Sequence, residues 1–253
     1  MQRPTLIFRI NIEGNVDLSI IIPTLNESSK ISADIQSAAR YLSEENLLAE
    51  IIIVDDGSTD DTCEIAKNAP VEQPVELRIF QSTQHHGKGF ALRKGFAQSR
   101  GTYAMFADSG SNVPWHFIGT GLQLIKSGEC DIVHGSRHLP ESEISKDQTW
   151  KRKLTSRIFR ILMRRTMGIP AVFSDTQCGF KIYRDVVAKE LYSEAVSNGF
   201  MIDIEIIRLA LRRSFRIREI PIEWHCDSDS RLSLRTNFLN IYREWRLLRK
   251  QFK

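Results

Sequence analysis

Short, almost unbroken apolar runs alternate along this chain with longer stretches in which apolar residues recur every three or four positions, the pattern of strands alternating with helices. Leu18-Ser-Ile-Ile-Ile-Pro23 and Ile51-Ile-Ile-Val54 are the clearest runs, followed by Tyr103-Ala-Met-Phe-Ala107. Continuous β-branched residues suit parallel strands covered on both faces, so the runs predict an α/β sheet. Pro23 should stop the first ladder, with Asn26 and Glu27 opening a helix, while Ser58 and Asp61 are spaced to cap the next one. The segment 199–205 reads as extended, which would place Asp203 and Glu205 on one side ahead of a helix over 206–212.

Two later stretches are amphipathic and basic. In 150–165, Leu154, Ile158, Ile161 and Leu162 keep helical spacing among Arg157, Arg160, Arg164 and Arg165. In 237–253, Phe238, Leu239, Tyr242, Trp245 and Leu248 run beside Arg243, Arg246, Arg249 and Lys250. Either helix suits a membrane interface, and either suits packing on a protein core with its arginines in water.

Charge sharpens this division. Residues 1–150 hold 13 Lys+Arg and 20 Asp+Glu, the remainder 22 and 11, so the halves stand near −7 and +11 within a net charge of +4. A basic second half implies an anionic partner such as a phosphate or a membrane surface. Nucleic acid is disfavoured, because neither a stacking motif nor a recognition-helix signature accompanies the charge. With 253 residues, 42% hydrophobic, we expect one catalytic domain over 1–236 and a C-terminal helix over 237–253. Four scattered cysteines without Cys-x-x-Cys spacing, and no visible signal peptide, predict reduced thiols in the cytoplasm. No apolar stretch approaches the roughly 20 residues of a spanning helix.

The strand ends carry the candidate chemistry, since ligands of open α/β sheets bind beyond the carboxyl ends of the strands. Asp55 and Asp56 close the second run, and Asp108-Ser-Gly-Ser-Asn112 closes the third. His85-His-Gly-Lys88-Gly is a glycine loop opening a helix, offering free N–H groups and a lysine to an anion without Walker A spacing. Adjacent histidines in a strand would point apart, which argues against a paired metal site. Gly135-Ser-Arg137 reads either as a turn ending a strand with a surface arginine or as a planar guanidinium offered to a phosphate. Asp175-Thr-Gln-Cys-Gly-Phe-Lys181 supplies an anion, the Gln177 amide and a close-approach point at Gly179.

Pro23-x-x-Asn-Glu27, Val54-Asp-Asp-Gly-Ser58, Gly87-Lys-Gly-x-Ala91, Gly135-Ser-Arg137 and Asp175–Lys181 stand in the order found in the family-2 inverting glycosyltransferases, and together they resemble the polyprenyl-phosphate branch. The last string matches the dolichyl-phosphate β-glucosyltransferase group. The resemblance runs from Leu18 to about Ser233. It implies a GT-A fold: a Rossmann-like, mixed but mostly parallel sheet flanked by helices. It also implies a nucleotide-sugar site made by Pro23, Thr24, Asn26, Glu27 and Asp55, with Lys88, Asp108, Gln177 and Arg231 completing the donor pocket, and Asp203 toward the acceptor. The family's second metal-binding aspartate is replaced by Gly110, leaving Asp108 and Asn112 to hold Mg²⁺ or Mn²⁺ beside diphosphate oxygens and waters.

The implied reaction is inverting transfer of a hexose, glucose from UDP-glucose, to a polyprenyl phosphate. Arg137 and the Lys151–Arg157 cluster would hold the acceptor phosphate, and Asp108 and Lys88 would steady the leaving diphosphate. The lipid would be met peripherally at the cytoplasmic face of the membrane. Transfer to a soluble or cell-surface polysaccharide precursor, and a catalytically weak sugar-nucleotide binder suggested by Gly110, are the alternatives.

Overall fold

A computed structural model describes residues 6–8, 15–145, 150–225 and 234–252, and the side chains of 6–8, 150–156 and 234–238 lie outside that description. In chain order the elements are β1 (Leu6–Phe8), β2 (Leu18–Thr24), α1 (Ile31–Glu44), β3 (Ala49–Asp55), α2 (Thr62–Asn68), β4 (Val75–Gln81), α3 (Lys88–Gln98), β5 (Tyr103–Ala107) and α4 (Phe117–Lys126). They continue as β6 (Ile132–Ser136), β7 (Glu143–Ile144), α5 (Trp150–Met167), β8 (Phe180–Arg184), α6 (Asp185–Glu194), α7 (Ile202–Arg212), β9 (Ile217–Pro221), β10 (Glu223–Trp224) and α8 (Leu234–Gln251).

Eight strands form one mixed sheet in the order β1-β4-β3-β2-β5-β8-β6-β9. The block β4-β3-β2-β5 is parallel, β8 runs antiparallel between β5 and β6, and β9 returns parallel to β6. The apolar runs explain the burial. Ile20, Ile22, Ile51 and Ile53 face one layer with α1, α2 and α4, while Ile21, Ile52 and Val54 face the other with α3, α6 and α7. Because side chains alternate across a strand, a run without polar residues supplies both layers at once.

Several local expectations give way to tertiary contacts. Asn26 and Glu27 do not open a helix; α1 begins at Ile31, and Asn26 sits in the left-handed region at φ 52°. Ser58 does not cap α2 either. Its Oγ instead accepts the Asn26 N–H at 2.8 Å, and α2 begins at Thr62 with no side-chain cap from Asp61. Helix α7 starts at Ile202, so Asp203 and Glu205 are helical rather than alternating along a strand.

A third apolar cluster lies outside the two sheet layers. Met163 and Met167 of α5, Ile204 and Ile207 of α7, and Ile241 and Leu248 of α8 are buried together, and the Trp245 indole N–H donates to Thr166 Oγ1 at 3.0 Å. The C-terminal helix expected over 237–253 therefore starts at Leu234 and docks on the catalytic fold. Ile158, Ile161 and Leu162 of α5 and Leu239, Tyr242 and Leu247 of α8 remain exposed.

Candidate active site

The carboxyl ends of the parallel strands open into a cleft of about 750 Å³. Pro23, Thr24, Glu27, Lys88, Asp108, Asn112, Arg137, Gln177 and Asp203 all line it. Asn26 and Asp55 belong to the scaffold behind that lining. Asp55 is fully buried and accepts the Ser58 N–H at 2.9 Å through Oδ1, while its Oδ2 has no hydrogen-bond partner among the described residues. Asn26 Oδ1 accepts the Thr59 N–H at 2.7 Å, and the Glu27 N–H donates to Thr62 Oγ1 at 2.7 Å. These bonds join the loop after β2 to the loop after β3 at the floor of the cleft. Arg231 lies outside the described residues, as do the side chains of Lys151, Arg152 and Lys153.

Asp56, the second carboxylate of its pair, reaches the cleft wall. It accepts the His86 N–H at 3.0 Å and the Gly87 N–H at 2.6 Å, which positions the glycine loop at the start of α3. His85 and His86 do converge, contrary to the strand expectation, because this segment is a loop. Their Nδ1 atoms lie 2.7 and 3.6 Å from the Asp56 carboxylate, and the His86 ring stacks on Phe90.

The loop ends at Lys88, whose ammonium is the centre of a charge cluster. Its Nζ lies 2.9 Å from Asp108 Oδ1 and 3.2 Å from Asp203 Oδ2, and the fully buried Lys181 pairs with the other oxygen of Asp203. Burial opposes the charge on Lys88, but the two carboxylates outweigh it and raise its pKa. Burial likewise opposes the charge on Asp203, and Lys181 and Lys88 hold its pKa below the usual carboxylate value. A Cβ at Gly179 would lie 1.9 Å from Asp108 Oδ2, so a larger residue there would have to displace the Asp108 carboxylate from its place beside Lys88.

Across the cleft, Arg137 makes a two-pronged pair with Asp175, Nε to Oδ2 at 2.6 Å and Nη2 to Oδ1 at 2.9 Å. Its guanidinium also lies 5.3 Å from the Trp224 ring centroid. Burial disfavours both charges, yet the pairing raises the Arg137 pKa and depresses that of Asp175. Asp175 is thus a partner of Arg137 rather than a free anion. Glu205 turns away from the cleft, accepting the Val196 and Ser197 N–H groups, each at 2.8 Å.

The loop after β5 shows what Gly110 does. Gly110 adopts φ 98° and donates its N–H to Asp34 Oδ2 at 2.7 Å, while Ser111 Oγ donates to Asp34 Oδ1 at 2.6 Å. Asn112 donates its amide N–H to the Ser109 carbonyl at 3.2 Å and lines the cleft beside Asp108. Among the described residues, no three His, Cys, Asp or Glu side chains group in a way that would hold a metal. One exposed carboxylate and one amide oxygen fit Mg²⁺ or Mn²⁺ as an ion carried by a diphosphate, which needs only one or two protein carboxylates.

Sequence reasoning missed the contribution of α8. Asn240, Ile241, Arg243 and Glu244 line the cleft, and Glu244 accepts the Gly199 N–H at 2.5 Å and the Met201 N–H at 3.3 Å. The helical periodicity could show an inward face on this segment but not the cleft it would meet.

A mixed sheet of this strand order, with acidic tips, a glycine loop and a cleft at the carboxyl ends, defines a GT-A glycosyltransferase. The glycosyl transferase family 2 profile matches residues 19–191, and the chain belongs to that family. It is 30% identical to the dolichyl-phosphate beta-glucosyltransferase of Saccharomyces cerevisiae, over 95% of this chain and 76% of that protein. It is 29% identical to the Dictyostelium discoideum protein of the same name, over 88% of this chain and 71% of the relative. Among solved structures, glucosyl-3-phosphoglycerate synthase from Mycobacterium tuberculosis, crystallised with Mn²⁺, uridine diphosphate and phosphoglyceric acid, shares the fold with a TM-score of 0.69 at 19% identity, over 92% of this chain and 78% of that one. Mannosyl-3-phosphoglycerate synthase from Rubrobacter xylanophilus gives 0.68 at 16%, over 93% and 75%.

Proposed function

We propose that this glycosyltransferase moves glucose from UDP-glucose to a polyprenyl or dolichyl phosphate with inversion at the anomeric carbon. The observation that carries the reading is the ammonium of Lys88, held between Asp108 and Asp203 at the strand tips and facing the same cleft as Arg137 and Gln177. The names of the relatives supply the lipid acceptor and the sugar.

In this reading the loops carrying Pro23, Thr24, Glu27 and Asp56 seat the nucleoside, with Asn26 and Asp55 bracing them from behind. Gln177 orients the sugar. The acceptor's phosphate oxygen attacks the anomeric carbon as the bond to the diphosphate breaks on the opposite face. That oxygen is already anionic near neutral pH, so no side chain has to remove a proton, and positioning and charge stabilisation dominate the rate. Lys88 neutralises charge growing on the departing diphosphate, while Arg137, backed by Asp175, faces the acceptor phosphate. Mg²⁺ or Mn²⁺ held by Asp108 and Asn112 would add electrostatic stabilisation to the diphosphate when bound.

No helix among the described residues is long and apolar enough to cross a membrane. Peripheral contact at the cytoplasmic face would use the exposed apolar residues of α5 and α8, which adjoin Arg157, Arg164 and Arg165. The test is transfer of radiolabel to a polyprenyl phosphate from UDP-glucose and from GDP-mannose, each with Mg²⁺, Mn²⁺ or EDTA. Label in the lipid from UDP-glucose is the expected result. Donor binding without lipid label from either nucleotide would replace the lipid with a soluble acceptor or reduce the chain to a binder.

A further inference from the structure

The geometry points to Arg243, on the C-terminal helix α8, as the side chain that reads the acceptor's phosphate and so sets acceptor affinity. This rests on the proposed polyprenyl-phosphate reaction and adds a residue to it from a segment outside the family match, which ends at residue 191.

Three observations lead there. First, the other strong cations lining the cleft each lie beside a carboxylate, Lys30 at 3.9 Å from Glu27. Lys88 lies between Asp108 and Asp203, and Arg137 turns two of its N–H edges to Asp175. Second, Arg243 lines the same cleft, is exposed, and makes no ion pair among the described residues. Its neighbour Glu244 is engaged elsewhere, accepting the Gly199 and Met201 N–H groups. Third, those two bonds join α8 to the start of α7, one turn before Asp203, so the helix is held at a fixed place on the cleft wall.

An unbalanced guanidinium on a partly hydrated wall attracts a dianionic phosphate far more than a neutral sugar. Its planar fork also suits two phosphate oxygens at once. The donor's diphosphate is served instead by Lys88, which lies beside Asp108 at the strand tips where leaving-group charge develops. The exposed apolar residues Leu239 and Tyr242, close to Arg243 in sequence on α8, would accompany a prenyl chain or the lipid surface. Among the described residues, Arg243 is accordingly the cation best placed to receive a phosphate that arrives attached to a lipid.

The test uses the full chain with UDP-glucose and a short-chain prenyl monophosphate in detergent-free buffer, so that attraction to an anionic membrane cannot imitate recognition. Arg243→Gln should raise the acceptor KM roughly ten- to a hundredfold, the range of a lost charge-assisted hydrogen bond. kcat should stay within a fewfold of wild type, the UDP-glucose Kd by calorimetry should not change, and Arg243→Lys should recover part of the loss. An unaltered acceptor KM in a folded Arg243→Gln protein overturns the assignment, and so does a matching loss of donor affinity. Wild-type protein that transfers to no prenyl phosphate overturns the acceptor reading itself and this assignment with it. A KM defect seen only with acceptor in anionic vesicles, and absent with the short-chain acceptor, would make Arg243 a membrane contact and not a phosphate reader.

Discussion

The two walls of the cleft both present carboxylates, yet they satisfy them by different chemistry. On the β2–β3 side, Asp55 and Asp56 bind main-chain N–H groups of the loops beside them. On the β6–β8–α7 side, Asp175 and Asp203 bind arginine and lysine side chains brought from distant elements. The first arrangement shapes loops and leaves room for a ligand's own charge. The second stores opposed charges at low exposure, where each is stable only while its partner remains. The β2–β3 wall should therefore tolerate the loss of a carboxylate better than the wall opposite.

The largest expected effect follows from that asymmetry. Asp203→Asn removes the anion between Lys88 and the fully buried Lys181, and an uncompensated buried charge costs about 3–5 kcal/mol. Denaturant melts should show a loss of that size, and Lys181→Met added to Asp203→Asn should return part of it. A change below about 1 kcal/mol, the scale of an exposed pair, would mean that water reaches this cluster.

Asp56→Ala is the matching test on the opposite wall. It leaves the His86 and Gly87 N–H groups without their acceptor, a cost of about 1–3 kcal/mol if they stay dry. The glycine loop should loosen and carry Lys88 with it. UDP-glucose affinity should fall roughly tenfold by calorimetry, with a smaller drop in melting temperature than Asp203→Asn. A stability loss larger than that of Asp203→Asn would reverse the comparison.

These contrasts also mark where the sequence was legible. The apolar runs give the strands, and the carboxylates after them give the cleft edge, because both signals are local. Gly179 was legible as a close-approach point, and the structure supplies the atom that approaches it, Asp108 Oδ2. The apparent capping signals at Asn26, Glu27 and Ser58 misled because hydrogen bonds spanning 32 to 35 residues claim those groups for loop-to-loop bracing. The pairing of Lys88 with Asp203 spans 115 residues and leaves no local pattern. Glu205 shows the same limit. Its spacing from Asp203 suggested a shared role, but two residues along a helix rotate the side chain by about 200°, and Glu205 meets the Val196–Ser197 backbone instead.

Gly110→Asp examines the edge between the two walls. At φ 98° an L-residue is strained, so the substitution should cost about 1–2 kcal/mol, and the new side chain would begin beside the N–H that donates to Asp34. In the presence of nucleotide it should tighten the Mn²⁺ dependence of UDP-glucose binding by restoring a second carboxylate. Titration curves unchanged from wild type, in a protein that still binds donor, would remove the metal from this edge.

The smallest effect tests how strictly the charged wall excludes further charge. His134 on β6 is fully buried, pairs across the sheet with Lys181, and has no hydrogen-bond partner on either ring nitrogen among the described residues. Burial pushes its pKa well below the usual histidine value, and the Lys181 ammonium adds to the fall against an opposing pull from Asp175. The folded protein therefore keeps this imidazole neutral at pH values where the unfolded chain binds a proton. Stability from this group is complete above about pH 6.5 and declines as the pH falls below it, by at most about 1.4 kcal/mol per pH unit. His138 has a pKa lowered in the same direction and leaves a residual slope of the same sign. His134→Phe removes two unsatisfied nitrogens as well as the titration, so the variant should be at least as stable as wild type at pH 7.5 and lose less stability between pH 6.5 and 5. Parallel pH profiles for the two proteins would show that His134 takes up its proton without unfolding, and that the wall around Lys181 admits a second positive charge.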